Sequence, residues 1–91
     1  MKTLIKKCAS LVKLDYKIMD SVLSGNMCAT SYYTMHRAAL YDSTIAYIKH
    51  NGISFKDIRD EQELYKLCDG DFTTKNMVED MVLESFRRKV K

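Results

Sequence analysis

The chain has 91 residues, a formal net charge of +3 at pH 7, 46% hydrophobic residues and 30% charged residues. This length predicts one domain with little room for a deep active-site cleft. The mild positive charge permits an acidic partner such as nucleic acid but does not require one.

Three cysteines, Cys8, Cys28 and Cys68, form an odd set without repeated spacing. This pattern predicts reduced thiols in a cytoplasmic protein (the host cytoplasm, if the protein is viral) rather than a disulfide framework. No apolar run reaches the length of a signal peptide core or a membrane span. We therefore expect no membrane partner.

Glycines divide the chain into helical units, because each follows an apolar-periodic segment at a place suited to a left-handed C-terminal residue. They are Gly25, Gly52 and Gly70, and the chain contains no proline. The first helix is predicted from about residue 3 to 24. The second is predicted from about residue 30 to 50.

Short helices are predicted to follow. Ser54 with Asp57 forms a capping pattern for one helical turn, and Asp60 with Glu63 starts a helix to about residue 69. Thr73 is expected to cap the last helix, which runs to about residue 89 with Phe72 packed on Met77. No segment alternates as a strand does. The prediction is all-α: a single helical domain over residues 1–91, a compact bundle of three longer helices plus one or two short helices.

Metal binding is not expected. The candidate ligands Cys28, His36, His50 and Cys68 are at least eight residues apart, whereas structural zinc sites present ligands in close pairs. The segment from Asp69 to Asp71 lacks the glycine and glutamate that a calcium loop needs at fixed positions.

Catalysis is not expected either, and neither is a cofactor. Cys28 or Ser31 with His36 offers a nucleophile and a base only by proximity in sequence, without a nucleophile elbow. A glycine-rich phosphate-binding loop is absent from the sequence. The chain is therefore interpreted as a non-enzymatic protein.

A basic stripe follows the first helix. On a helix its members fall within about 60° of one another, opposite the apolar face. Asp20 lies near the same line. Together with the basic C-terminus the stripe suits a phosphate backbone or an acidic partner, and a solvated helix face is the other interpretation. The residues of this nucleic-acid alternative are Lys2, Lys6, Lys13, Lys17, Arg87 and Arg88.

The second helix is apolar on nearly every side. Tyr33, Leu40 and Tyr47 form a stripe at seven-residue spacing, and alanines extend the apolar character around the helix. Such a helix is either the central helix of the bundle alone, or a central helix that also contributes to an interface. That interface would be with another protein or with a second copy of the chain. Tyrosine is enriched at interfaces, which favours a protein-binding role for the stripe.

Asp15 lies on the apolar side of the first helix and needs an explanation, because burying an unpaired carboxylate costs several kcal/mol. Arg37 on the second helix is the expected partner, with His36 as the next choice. The alternatives are a solvated carboxylate and a contact with another protein.

Two functional classes remain open. The short, proline-free, lysine-, tyrosine- and methionine-rich chain resembles small early proteins of phages and other viruses. The first class is a non-enzymatic protein-binding regulator or inhibitor, such as one acting against a host system, with a surface of Tyr33, Leu40, Tyr47, Asp15 and Arg37. The alternative is a nucleic-acid- or nucleotide-binding accessory protein that uses the lysine stripe.

Overall fold

The computed structural model describes the backbone of residues 1–90 and the side chains of residues 1–88. Its elements are α1 (Lys2–Leu23), α2 (Met27–His50), a 3₁₀ turn (Phe55–Ile58), α3 (Glu61–Leu67) and α4 (Phe72–Val90). Residues 1–90 contain no strand. The prediction of three longer helices with short ones between them is confirmed.

Two helices begin at positions other than the predicted ones, because a residue other than the expected one caps each of them. Helix α2 begins at Met27 rather than near residue 30, because the Asn26 side chain accepts a hydrogen bond from the Ala29 N–H (3.0 Å). Helix α4 is capped by Asp71, not by Thr73. The Asp71 carboxylate accepts from the Thr73 N–H (3.1 Å) and from the Thr74 hydroxyl (2.8 Å). These hydrogen bonds, foremost the one from Thr74, lower the pKa of Asp71.

The caps of the short helices agree with the sequence pattern. The Asp57 carboxylate accepts from the Ser54 N–H (2.9 Å), and the Asp60 carboxylate accepts from the N–H groups of Gln62 and Glu63, both at 3.1 Å. Phe72 lies with its ring edge to face against Tyr65, and its packing on Met77 stays a prediction. The contact with Tyr65 packs the first turn of α4 against α3.

Helices α1 and α2 form an antiparallel hairpin. Three polar contacts join them: Ser21 with Thr30, Asp15 with Arg37, and Lys7 with Ser43, at sequence separations of 9, 22 and 36 residues. The steady increase is what antiparallel helices produce. Gly25, with a φ of +73°, occupies the turn between them.

The hydrophobic core lies at one end of this hairpin, where α4 packs across the pair. Helix α1 contacts both α2 and α4 most extensively, so α1 rather than α2 is the central helix. The core cluster comprises Leu4, Cys8, Leu11, Ile45, Ile48, Ile58, Leu64, Cys68, Val78, Met81 and Val82. We call residues 1–12 and 39–88 the core end, and residues 13–38 the hairpin end.

The hairpin end has almost no interior. Within residues 13–38, all of which the structure describes, Ser21 is the one buried residue. Its hydroxyl lies 2.7 Å from that of Thr30, so the two helices meet there through small polar groups. None of the helices in residues 1–90 combines the length and apolar character that a bilayer crossing requires.

Candidate protein-interaction surface

Of the seven large apolar side chains exposed in the hairpin end, five form one set. Four lie on α1 and one at the start of α2, and their exposed fractions range from 56% to 80%. We call this set the apolar patch: Tyr16, Met19, Val22, Leu23 and Met27. Contiguous exposed apolar groups of this kind mark interaction surfaces in soluble proteins.

The patch continues the stripe that α1 buries in the core end. Cys8, Val12, Tyr16, Met19 and Leu23 are spaced by four, four, three and four residues, which places them on one helix face. The first two are buried and the last three are exposed. The same face of one helix is therefore covered over its first half and open over its second.

Helix α4 stops short of the hairpin end. Its Arg88 side chain forms an ion pair with Asp42 of α2 (3.5 Å), and its guanidinium lies 5.4 Å from the centre of the Tyr41 ring. Both contacts fall near the middle of α2. Nothing in the described part of the chain reaches farther towards the turn, which leaves the patch facing water.

The opposite side of the hairpin end is also aromatic. Tyr32 stacks on His36 (ring centres 4.8 Å apart) and lies edge to face with Tyr33 (5.5 Å). Met35, 74% exposed, lies near them on α2. At 100° per residue, Tyr32 lies about 140° and Met35 about 80° around α2 from Met27. Met35 is about 160° from Tyr33 and Arg37, which face α1, so it points away from α1 and from the four patch residues there.

Asp15 does find its partner. The Arg37 Nε–H donates to the Asp15 carboxylate across the two helices, which confirms the pairing predicted from sequence. The pair is not buried, because the Asp15 and Arg37 side chains are 44% and 32% exposed. His36, the other predicted partner, lies against Tyr32 instead.

The predicted tyrosine stripe lies along the seam between α1 and α2. Tyr33, Leu40 and Tyr47 are all half-buried. The ammonium of Lys17 lies 5.6 Å from the centre of the Tyr33 ring, and that of Lys7 lies 5.7 Å from the Tyr47 ring. These residues hold the hairpin together, and a role in binding a partner stays a prediction for their outer edges.

The lysine stripe is solvent-facing. Its four members and Arg87 are exposed, whereas Arg88 is engaged by Asp42 and by Glu84, each at 3.5 Å. The stripe therefore remains accessible to an anionic partner, and Arg88 is already paired within the chain.

The buried thiols are poorly suited to nucleophilic chemistry. Burial, with a smaller contribution from Cys68, raises the pKa of Cys8 to about 12, and burial with nearby Asp71 raises that of Cys68. Both are neutral at physiological pH. Among the side chains described, no group of three His, Cys, Asp or Glu residues is placed to hold a metal ion.

An open groove of about 400 Å³ separates α3 from the start of α4. Tyr65 and Phe72 form its apolar walls, with Glu61 and Lys66 at the rim. The ammonium of Lys75 lies 5.0 Å from the centre of the Phe72 ring and 3.0 Å from Glu79. The groove is aromatic but shallow, and its charges are of both signs.

Comparisons with family models, with curated proteins and with solved structures give no match to this chain.

The sequence pattern did not identify the patch as a binding surface. The available signal was length: the stripe from Cys8 to Leu23 spans about four turns of α1, and the only long helix predicted to cover it besides α2 begins near residue 72. That imbalance between apolar length and available cover indicates an open surface.

Proposed function

We propose that this protein is a small non-enzymatic binding protein that regulates or inhibits another protein, and that the apolar patch of the hairpin end is its contact surface. The observation that carries the proposal is the open half of the α1 stripe, where Tyr16, Met19 and Leu23 are all more than half exposed. A surface of this kind loses water favourably only when another molecule covers it.

The side chains of the patch suit recognition. Methionine adapts its shape to irregular partner surfaces, and tyrosine is enriched among residues that dominate binding energy. The patch contains two methionines and one tyrosine on two adjoining helices. A partner that presents an apolar helix or ridge fits along α1 beside the start of α2.

The ion pair beside the patch supports the same conclusion. Asp15 lies between Val12 and Met19 on α1, so a partner covering the patch also covers this carboxylate. Because Arg37 already pairs with Asp15, covering the site does not strand an isolated charge. The pair then acts as an orienting polar contact at the edge of an apolar interface.

The test is a capture experiment with two matched variants. Met19 in the patch is 61% exposed and Met35 on the opposite side of the hairpin end is 74% exposed. Wild-type protein, Met19→Lys and Met35→Lys are immobilised and exposed to nuclease-treated cell lysate. We expect a protein partner retained by wild type and Met35→Lys and lost by Met19→Lys.

Two results contradict the proposal. Equal retention by all three baits places the contact elsewhere, and loss with Met35→Lys alone assigns it to the opposite side of the hairpin. Helical circular dichroism of both variants must match wild type, since each substitution lies at an exposed position.

Nucleic-acid binding is the second candidate, favoured by the exposure of all four lysines of the stripe. From Lys2 to Lys17 they extend over roughly 22 Å of helix, a length comparable to several phosphate spacings. Replacing the four by glutamine should lower affinity for a nucleic acid and flatten its salt dependence. Unchanged affinity excludes the stripe.

A further inference from the structure

We propose that in the absence of its partner the hairpin end is covered by a second copy of the same chain, in a two-fold symmetric dimer that joins apolar patch to apolar patch.

The area of the patch is close to what a weak dimer needs. Large side chains present on the order of 150–250 Å² each when fully exposed. Five that are 56–80% exposed offer roughly 600 Å² per copy, against roughly 800 Å² per partner in a standard interface. The expected dimer is therefore concentration-dependent, with a micromolar rather than nanomolar dissociation constant.

The charges around the patch allow it to meet its own copy. None of the five side chains is charged, and the adjoining pair of Asp15 and Arg37 is internally neutralised. The lysine stripe, which includes Lys17, lies on the other face of α1, about 160° from Met19. In a two-fold interface each uncharged patch therefore meets an uncharged patch, and no like charges among the five side chains oppose each other.

The geometry of two hairpins suits this arrangement. A two-fold axis crossing α1 near Met19 sets the open half of one α1 against that of the other, with Met27 of each copy alongside. Two antiparallel helix pairs then form a four-helix layer, a common solution for amphipathic helices. The α1 stripe that is covered in the core end becomes covered along its whole length.

A consequence follows for regulation, and it rests on the proposed function. The dimer hides the same side chains that a protein partner needs, so self-association and partner binding exclude each other. Partner binding then draws on the monomer and weakens as the concentration of the free protein rises.

The test is sedimentation velocity from roughly 1 μM to 1 mM. For wild type we expect the mass to rise from the monomer value of 10.6 kDa towards twice that value. Leu23→Lys, at a patch residue that is 80% exposed, should remain monomeric throughout. The matched control Leu67→Lys, at an α3 residue that is 44% exposed, should associate as wild type does.

A cross-link locates the axis independently of these variants. In a Cys28→Ser background, Met19→Cys should form an intermolecular disulfide on mild oxidation, whereas Phe72→Cys in the core end should not. Wild type that stays monomeric at every concentration overturns the dimer and leaves the capture experiment unaffected. Association that survives Leu23→Lys, or a cross-link through Phe72→Cys, assigns the contact to another surface and also overturns it.

Discussion

The two halves of α1 carry one apolar pattern in two different surroundings. In the core end, Leu4, Cys8 and Leu11 are fully buried beneath α2 and α4, and their burial contributes most of what holds the fold together. In the hairpin end, Tyr16 and Leu23 extend the same kind of stripe into water. The apolar stripe is continuous along α1, but other helices cover only its first half.

This difference separates the residues that stabilise the fold from the proposed contact surface. The core end contains every buried apolar side chain among residues 1–88, so changes in the hairpin end can alter recognition without unfolding the protein. Small domains have only a few kcal/mol of net stability. Because the proposed contact surface lies outside the core, changes to it leave this net stability nearly unaltered.

The largest expected contrast between the two regions is in thiol reactivity. Cys28 in the hairpin end is exposed, whereas Cys8 and Cys68 in the core end are buried. With a stability on the order of 5 kcal/mol, thiols reached only through unfolding should react roughly a thousandfold more slowly than Cys28. Timed alkylation of the native protein, read by peptide mass spectrometry, measures the ratio.

Similar alkylation rates for the three thiols would contradict this contrast, because they would mean that the interior of the core end opens readily. Alkylation in urea provides the control, since all three should then react at comparable rates.

A matched pair of leucines on α1 gives the next contrast. Leu11 is fully buried and Leu23 is 80% exposed. Leu11→Ala should lower the free energy of unfolding by about 3 kcal/mol through lost burial and a residual cavity. Leu23→Ala should change it by less than about 0.5 kcal/mol. Urea unfolding at low protein concentration measures both, and equal losses would show that the hairpin end has a core of its own.

The smallest expected effect is at the junction of the regions. Because Asp15 and Arg37 are both about a third or more exposed, solvent screens their attraction. A double-mutant cycle with Asp15→Ala and Arg37→Ala should give a coupling of about 0.5 kcal/mol. A coupling near 3 kcal/mol would instead be typical of a buried pair, and the boundary of the core would then have to be moved towards residue 15.

Much of the fold was predictable because its signals are local. Ser54 with Asp57, and Asp60, cap the short helices as their spacing indicates. The glycines mark helix ends, each with φ between +61° and +73°. The predicted starts of α2 and α4 were wrong for a reason that is also local. A nearby residue, Asn26 or Asp71, forms the cap instead.

The apolar patch was harder to predict, because its exposure depends on which part of α1 the other helices leave uncovered. The pairing of Asp15 with Arg37 follows from an apolar face that needs a partner for its charge, and it was found. The exposure of that pair depends on where α4 crosses α1, which is a tertiary property. For the tyrosine stripe, periodicity alone does not distinguish a helix–helix seam from an outer interface.

Amide hydrogen exchange along α1 tests the central claim most directly, since one helix passes through both regions. At low micromolar concentration, amides of residues 16–22 should be at least about tenfold less protected than those of residues 6–12, because the second half lacks tertiary cover. At millimolar concentration the difference should narrow as second copies cover the patch. Uniform protection along α1 at both concentrations would contradict the division into a covered and an open half.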